Sequence, residues 1–322
     1  MSTRCASLVP LDETTPPGSF VALPCVLVIG NFDGLHRGHQ AVLREAVGHS
    51  RATGLSACVL TFDPHPASVV GAGAPPLLTT MDRRVELMGE LGVEHVYVRR
   101  FDAAFAAWPP DRFARDLVVD ALHARTVVVG QNFRFGARRA GDLALLRALG
   151  ADLGFHARVH AVAHDERGPF SSTRAREAIA AGDLDELQRV LGRPHALTGA
   201  VVHGDERGRT IGFPTANLEG VAELVPPDGV YAVRVDGVQG EGKHLRPLAD
   251  GVTNIGVRPT VGGDRRTIET YLLDFSGDLY GSHLRLHLVA RLRGEQRFAS
   301  IDELKARIAR DVADARAKLA GR

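Results

Sequence analysis

The segment GNFDGLHRGHQAVL, Gly30 to Leu43, sets His36 and His39 three residues apart among Gly30, Gly34 and Gly38. It lies where an apolar run gives way to a helical pattern. Glycines let the backbone turn tightly and approach a ligand closely. A helix N-terminus offers N–H groups and a partial positive charge, both suited to phosphate. Two imidazoles there can donate to phosphate oxygens, with Phe32 carried on the same turn. A lone histidine would read as a cap on local carbonyls; the pair, at a glycine-rich turn, points to phosphate handling. The chain has no GxxxxGK[ST], and the turn is not GxGxxG. Further on, SSTRAR supplies the hydroxyls of Ser171, Ser172 and Thr173, a helix start, and the fixed charge of Arg176. Alone, it would be an ordinary N-cap.

A second constellation is HGDERGRTIGFPTANL, residues 203–218. Gly204, Gly208 and Gly212 make a flexible loop, Arg207 and Arg209 add charge, and Pro214 stiffens the approach. Gly208, Arg209 and Thr210 are the candidate phosphate contacts. Thr215 and Asn217, two residues apart, offer the hard oxygen ligands that suit Mg²⁺ carrying nucleotide phosphates. PTAN by itself does not separate this from a barrel hairpin with incidental charge. Glu269, in RTIETYLLDF, shares a strand face with Tyr271 and Leu273. A carboxylate there is either solvent-facing or placed to take a proton from an alcohol attacking a γ-phosphate.

The elements that must position these residues follow from hydrophobic periodicity. CVLVIG (25–30), SACVLTF (56–62), VEHVYVRRF, RTVVVG (125–130) and FHARVHAVAH read as strands. They alternate with helices beginning near Gly38 (apolar face Val42, Leu43, Ala46, Val47) and in TTMDRRVELMGELG (79–92), PPDRFARDLVVDALHA and GDLALLRALG. Such alternation predicts a doubly wound α/β parallel sheet, with ligands beyond the carboxyl ends of its strands. The histidine turn, TFDPHP, GQNFRFG and SSTRAR all fall on that rim. Two short helices follow, the second with a capping box of Asp183 and Glu186. From RPHALTG onward strands dominate, including SHLRLHLVARLR with alternating Leu284, Leu286, Leu288, Ala290 and Leu292. These predict a small antiparallel β-barrel. A last helix opens on a capping box of Ser300 and Glu303 and carries an apolar stripe of Ile301, Leu304, Ile308, Val312 and Leu319. The expected domains are residues 20–190 and 191–322.

With 39 Lys+Arg against 38 Asp+Glu, the formal charge of +1 argues against a general nucleic-acid or membrane-surface binder. Cys5, Cys25 and Cys58 are sparse and form no CxxC, which suggests reduced thiols and a cytoplasmic protein. No apolar run is long enough to span a bilayer. MSTRCASLVPLDETTPPGS lacks the apolar core of a signal peptide and is expected to be a flexible lead-in.

The histidine turn resembles the HxGH signature of the nucleotidyltransferase superfamily, in which the histidines hold ATP phosphates during attack at the α-phosphorus. SSTRAR resembles that superfamily's second phosphate-binding motif. Both halves together resemble the prokaryotic bifunctional riboflavin kinase/FAD synthetase family, from about Val26 to the last helix. The likeness rests on GNFDGLHRGHQ, TFDPHP, VGQNFRFG, SSTRAR, GRTIGFPTAN, PPDGVYAV, NIGVRPT, ETYLLDF, LYG and RFASIDELKARIARD. It implies that the barrel domain phosphorylates riboflavin with ATP and Mg²⁺, and that the α/β domain transfers AMP from ATP to FMN, giving FAD and pyrophosphate. The family places the base on Glu269 and Mg²⁺ on Thr215 and Asn217. His36, His39 and Arg176 suit an adenylyl transfer whose acceptor is already an anion.

Phe62, Asn132 and Phe133 would line the flavin side of the first site, since an isoalloxazine ring wants apolar faces and edge hydrogen bonds. For the phenylalanines, core packing accounts for the residue type equally well. Many family members carry Asp where this chain has Asn132, which keeps the shape and loses the charge. Ile often stands where this chain has Ala175. Two other readings compete: a nucleotidyltransferase for another phosphorylated small molecule, which leaves the barrel unexplained, and a flavin-binding module without catalysis. A third is that only one site works.

Overall fold

Strand β2 (Cys25–Ile29) is CVLVI, and all five residues are buried. Its side chains alternate between two cores, as the period of two requires. Cys25, Leu27 and Ile29 join Cys58 and Leu60 under Phe113, Leu117, Val118 and Leu146. Val26 and Val28 join Ala57 and Val59 under Val42, Leu43, Ala46, Val47 and Met88. A sheet covered on both faces results, as the near-continuous apolar runs demand.

The computed structural model describes residues 6–12, 22–71, 73–204, 208, 211–238, 245–260 and 263–320. The chain divides into two compact units, one ending at Ser171 and one beginning at Ser172. In the first, β1 (Ser7–Leu11), β2, β3 (Ser56–Asp63), β4 (His95–Arg100), β5 (Ala124–Gly130) and β6 (His156–His160) form a parallel sheet in the order β1-β4-β3-β2-β5-β6. Helices α1 (Arg37–Thr53) and α2 (Met81–Glu90) cover one face. Helices α3 (Phe113–Ala121), wound as a π-helix, and α4 (Leu143–Leu153) cover the other.

The expectation of a lead-in without structure is corrected at residues 7–11. They form β1, paired in parallel with β4 from Ser7↔His95 to Leu11↔Arg99. An exposed edge strand of five residues containing Pro10 carries little periodic signal, and an edge is where a strand tolerates proline. The fifth expected strand also ends early, at His160. A two-residue hairpin, β7 (His164–Asp165) with β8 (Gly168–Pro169), follows it.

The second unit begins with α5 (Ser172–Ala181) and α6 (Leu184–Leu191), the latter capped by the Asp183 side chain on the Glu186 N–H. Strands β9 (His195–Val202), β10 (Ala216–Glu219), β11 (Gly229–Val238), β12 (Leu245–Thr260), β13 (Gly263–Leu272) and β14 (His283–Arg293) close into an antiparallel barrel, ordered β10-β13-β12-β11-β14-β9. Helix α7 (Ile301–Ala320) packs Ala315 and Leu319 with Val230, Ala232 and Val252 of the barrel. The expected cap is present, with the Ser300 hydroxyl accepting from the Glu303 N–H at 3.2 Å. The expected apolar stripe fails at Ile301, which is 63% exposed, while Leu304 and Ile308 turn to a cleft. The first turn of α7 reaches past the barrel core to the site described next.

Candidate active sites

The chain leaves β2 through a strained turn. Phe32 (φ 55°), Gly34 (φ 80°) and Leu35 (φ 38°) are left-handed within four residues, and two of them are not glycine. Such conformations persist only where the surroundings over-determine them. Asp33 does this here: its buried carboxylate accepts from the backbone N–H groups of Leu78 and Thr79, while the Thr79 hydroxyl accepts from the Gly34 N–H at 2.9 Å. Buried Arg84 donates to the carbonyls of Thr79 at 3.1 Å and Asn31 at 3.0 Å. The turn is therefore rigid before any ligand arrives.

That turn delivers His36 as the N-cap of α1. Its Nδ1 accepts from the His39 N–H at 3.3 Å, which puts the imidazole hydrogen of a neutral ring on Nε2. The His36 and His39 rings stack with centroids 3.6 Å apart, and Phe32 meets His39 edge-on at 5.1 Å. The Phe32 ring is buried, so it seats His39 and reaches no solvent. Gly38 is required by close approach: a Cβ there would lie 3.0 Å from the His36 ring and 3.2 Å from the Phe170 carbonyl oxygen.

The strands flanking β2 bring their own loops to this rim. After β3, the His65 Nδ1 accepts from the Ala67 N–H, leaving Nε2 to carry the hydrogen, 3.0 Å from the Asn31 amide. The Asn31 atom facing it is then the carbonyl oxygen. Phe62 is half-buried, in edge contact with Phe101 at 5.7 Å. After β5, Asn132 is exposed and Phe133 half-buried, stacked on Phe135 at 5.6 Å. Both phenylalanines are half-buried and pack against the core. Ser171 closes the first unit. Ser172 and Thr173 open α5 and Arg176 lies in its second turn, all three in the second unit.

In the barrel, antiparallel register builds a polar row that the chain order hides. Asn217 on β10 stands opposite Glu269 on β13, and Glu269 stands opposite Asn254 on β12. Opposed residues share a face, so the three side chains line up across three strands. Gly204 leaves the room Asn217 needs, since a Cβ there would sit 2.3 Å from its Nδ2. A cleft of about 580 Å³ includes Thr215, Gly208, Asn254, Glu269, Tyr271 and Phe298 in its lining. Leu304 and Ile308 of α7 add an apolar side. A second cleft of about 590 Å³ is lined by Thr215, Phe275, Asp278 and Tyr280, and His203 stacks on Tyr280 at 3.7 Å. Thr215 is common to both. In the lining of the first cleft, buried Asp311 takes both oxygens into the Arg293 guanidinium and accepts from Arg307 at 2.9 Å. Arg209 and Thr210 lie outside the described residues.

Two family models match in sequence order: FAD synthetase over residues 21–174 and riboflavin kinase over residues 191–319. The Escherichia coli (strain K12) bifunctional riboflavin kinase/FMN adenylyltransferase is 46% identical, over 91% of this chain and 92% of its own length. This chain belongs to the bifunctional riboflavin kinase/FMN adenylyltransferase family. Members of the same description from Pseudomonas fluorescens and Bacillus subtilis (strain 168) are 40% and 35% identical over 91% and 90% of the chain. A crystal structure described as a macrolide-efflux protein from Streptococcus pneumoniae shares the fold, with TM-score 0.83 and 29% identity. It covers 96% of this chain and 98% of its own. Among the described residues no helix of this chain is long and apolar enough to cross a membrane.

Several residues that build the sites were not singled out from sequence. Asp33, Thr79 and Arg84 hold the histidine turn, and only Asp33 lies within the quoted segment. His65 sits in TFDPHP and Asn254 in NIGVRPT, motifs quoted without singling out either residue. Asp311 closes RFASIDELKARIARD, again quoted without singling out the residue, because the arginine pair 18 and 4 residues away meets it only after folding.

Proposed function

We propose that Glu269, Thr215 and Asn217 carry the phosphorylation of riboflavin to FMN, and that His36, His39, Ser171, Ser172, Thr173 and Arg176 carry the adenylylation of FMN to FAD. The enzyme uses ATP in both steps and releases pyrophosphate in the second. The observation that supports this reading most is the placement of Glu269 opposite Asn217 in a cleft wall shared with Thr215. An apolar cleft with Tyr271 and Phe298 suits an isoalloxazine ring. The adjoining cleft, with Tyr280 and Phe275, suits an adenine. Substrates in the two clefts would meet at Thr215.

Riboflavin presents a neutral primary alcohol, so its attack on a γ-phosphoryl group gains from a base. Glu269 takes the proton of the ribityl 5′-hydroxyl as the new P–O bond forms and ADP leaves. Gly208, with Arg209 and Thr210, supports the ATP phosphates. Thr215 and Asn217 fit Mg²⁺ by donor chemistry: it is a hard cation that keeps several waters and takes one or two protein oxygens beside the phosphates. Gly204 and Gly208, lacking Cβ atoms, leave room beside those two side chains. When bound, the ion would neutralise phosphate charge during the transfer.

FMN presents a phosphate oxygen that is already anionic, so its attack on the α-phosphorus of ATP needs alignment and charge stabilisation. The His36 Nε2–H and the positive end of α1 supply these, with Gly30, Gly34 and Gly38 admitting the phosphates. Phe62, Asn132 and Phe133 receive the flavin. We place the functional boundary near residue 190, with α5 and α6 as the connection, and the protein in the cytoplasm, consistent with buried free thiols at Cys25 and Cys58.

The test separates the two steps by chromatography of flavins. Glu269→Gln is expected to abolish FMN formation from riboflavin and leave FMN-to-FAD conversion largely intact; His36→Ala is expected to do the reverse. Equal loss of both steps in either variant would refute the division.

A further inference from the structure

The loop between β5 and α4 carries a feature that the assignments above leave unused. It leaves β5 at Gly130, and β5 pairs in parallel with β2, Val28 opposite Val128. The loop therefore opens from the same rim as the histidine turn, which leaves β2 at Gly30. It closes on itself through a Phe135–Gly141 bridge, with N–H···O distances of 3.1 and 2.9 Å. It is also pinned from outside: the Ala137 N–H donates to the Trp108 carbonyl at 2.7 Å. Gly136 (φ 71°) lies so close to Pro110 that a Cβ would meet its ring at 2.7 Å, and one at Gly141 would meet the Phe135 ring at 2.6 Å.

At the tip of this pinned loop stand Arg138 (φ 52°) and Arg139 (φ 59°), two successive non-glycine residues in the left-handed region. Both are exposed. Among the described residues, neither guanidinium forms an ion pair or hydrogen bond, whereas Arg134 on the same loop pairs with Asp142 at 3.4 Å. Strain of this kind marks a conformation kept for a purpose when the surroundings enforce it. Here the enforced result is a pair of cations held apart from any internal partner. They project from the loop that also presents Asn132 and Phe133.

We propose that Arg138 and Arg139 clamp the phosphate of FMN in the adenylyl-transfer site, and that this pair makes the site select a phosphorylated flavin over riboflavin. The inference rests on the placement of the flavin beside Phe133. A phosphate monoester carries close to two negative charges at neutral pH, and guanidinium forks match its oxygens in bidentate fashion. Riboflavin shares the ring and ribityl chain of FMN and lacks only this group, so ring contacts alone cannot tell the two apart. A rigid loop spends little ordering entropy on capture, which suits a discriminating contact.

The test uses the full-length enzyme with Arg138→Asn and Arg139→Asn, singly and together. Asparagine tolerates the left-handed region, so these variants remove charge without forcing the loop to move. The double variant is expected to raise the KM for FMN in FAD formation about tenfold or more. The KM for ATP and the rate of riboflavin phosphorylation should stay within twofold. Inhibition of FAD formation by riboflavin should be unchanged, and the salt dependence of the FMN KM should flatten. An unmoved FMN KM, a rise in the ATP KM instead, or equal weakening of FMN and riboflavin would each overturn the clamp. Phe133→Ala tests the flavin placement by itself: it should weaken FMN and riboflavin alike. If Phe133→Ala does so and the arginine variants do nothing, the clamp fails and the placement stands. If Phe133→Ala leaves both flavins unaffected, the placement fails.

Discussion

Gly38→Ala isolates the geometry of the histidine turn from its chemistry, because it adds one methyl group and removes no functional atom. The added carbon would lie 3.0 Å from both Cε1 and Nδ1 of His36, and 3.2 Å from the Phe170 carbonyl oxygen. Ordinary contact begins near 3.4 Å, so the His36 ring must give way by about 0.4 Å, since the carbonyl belongs to fixed backbone. The bond from the His39 N–H to His36 Nδ1 is already 3.3 Å long and would stretch past useful range. Losing that cap costs about 0.5–2 kcal/mol, whereas replacing glycine by alanine in a helix returns about 1 kcal/mol. Global stability should therefore change little. Activity should not be spared, because catalytic groups work within about 0.5 Å of their productive geometry and a displacement of about 1 Å costs roughly 100-fold. About tenfold loss of FAD formation is expected from this smaller shift, with riboflavin phosphorylation unchanged as an internal control. The assay is flavin chromatography on both steps, beside a urea titration. FAD formation at the wild-type rate would refute the argument that the His36 position limits the transfer.

Asp311→Ala should destabilise the second unit by about 1–3 kcal/mol, because it removes the buried carboxylate that the half-buried Arg293 and Arg307 guanidiniums share; urea unfolding measures it. Burial pushes the Glu223 carboxyl upward, so it contributes stability below the ordinary carboxylate range that is lost as pH rises through the folded value. Glu223→Gln keeps an acceptor for the Thr198 N–H and should raise the melting temperature at neutral pH while flattening its fall above pH 4.5. A pH profile parallel to wild type would contradict that reading. Thr253 and Thr270 share a buried hydroxyl pair at 2.9 Å, directly opposed across β12 and β13. Either Thr→Val change alone should cost about 1–3 kcal/mol and the double change less than their sum, and additive losses in the cycle would deny the bond.

Most of the fold was legible because hydrophobic period is a local property. CVLVI reads as a strand buried on both faces, and it is one. The elements that escaped are those whose identity is settled by a partner. Strand β1 exists because β4 offers an edge to SLVPL, not because those residues alternate. Strand β10 is four residues long and is held between β9 and β13. Ile301 continues the apolar stripe of α7 in sequence, yet lies beyond the surface that the stripe covers.

The sites divide in the same way. His36 and His39 are legible because a cap, a glycine approach and a ring stack all act within nine residues. Glu269 is legible only as one of two readings, solvent-facing or catalytic, because a strand's own sequence does not say what stands beside it. Register shows what stands beside it. With Asn217 on one side and Asn254 on the other, Glu269 belongs to a polar row along a cleft wall. A slip of one residue along β13 would put Ile268 or Thr270 in that row and turn the carboxylate to the other face. The buried Thr253–Thr270 pair, the next residue along, resists that slip by requiring both hydroxyls to meet inside. The barrel is closed, so no strand can shift without breaking two ladders. The position of Glu269, the proposed base, is thus fixed by residues that do not line the cleft, and only the folded register reveals them.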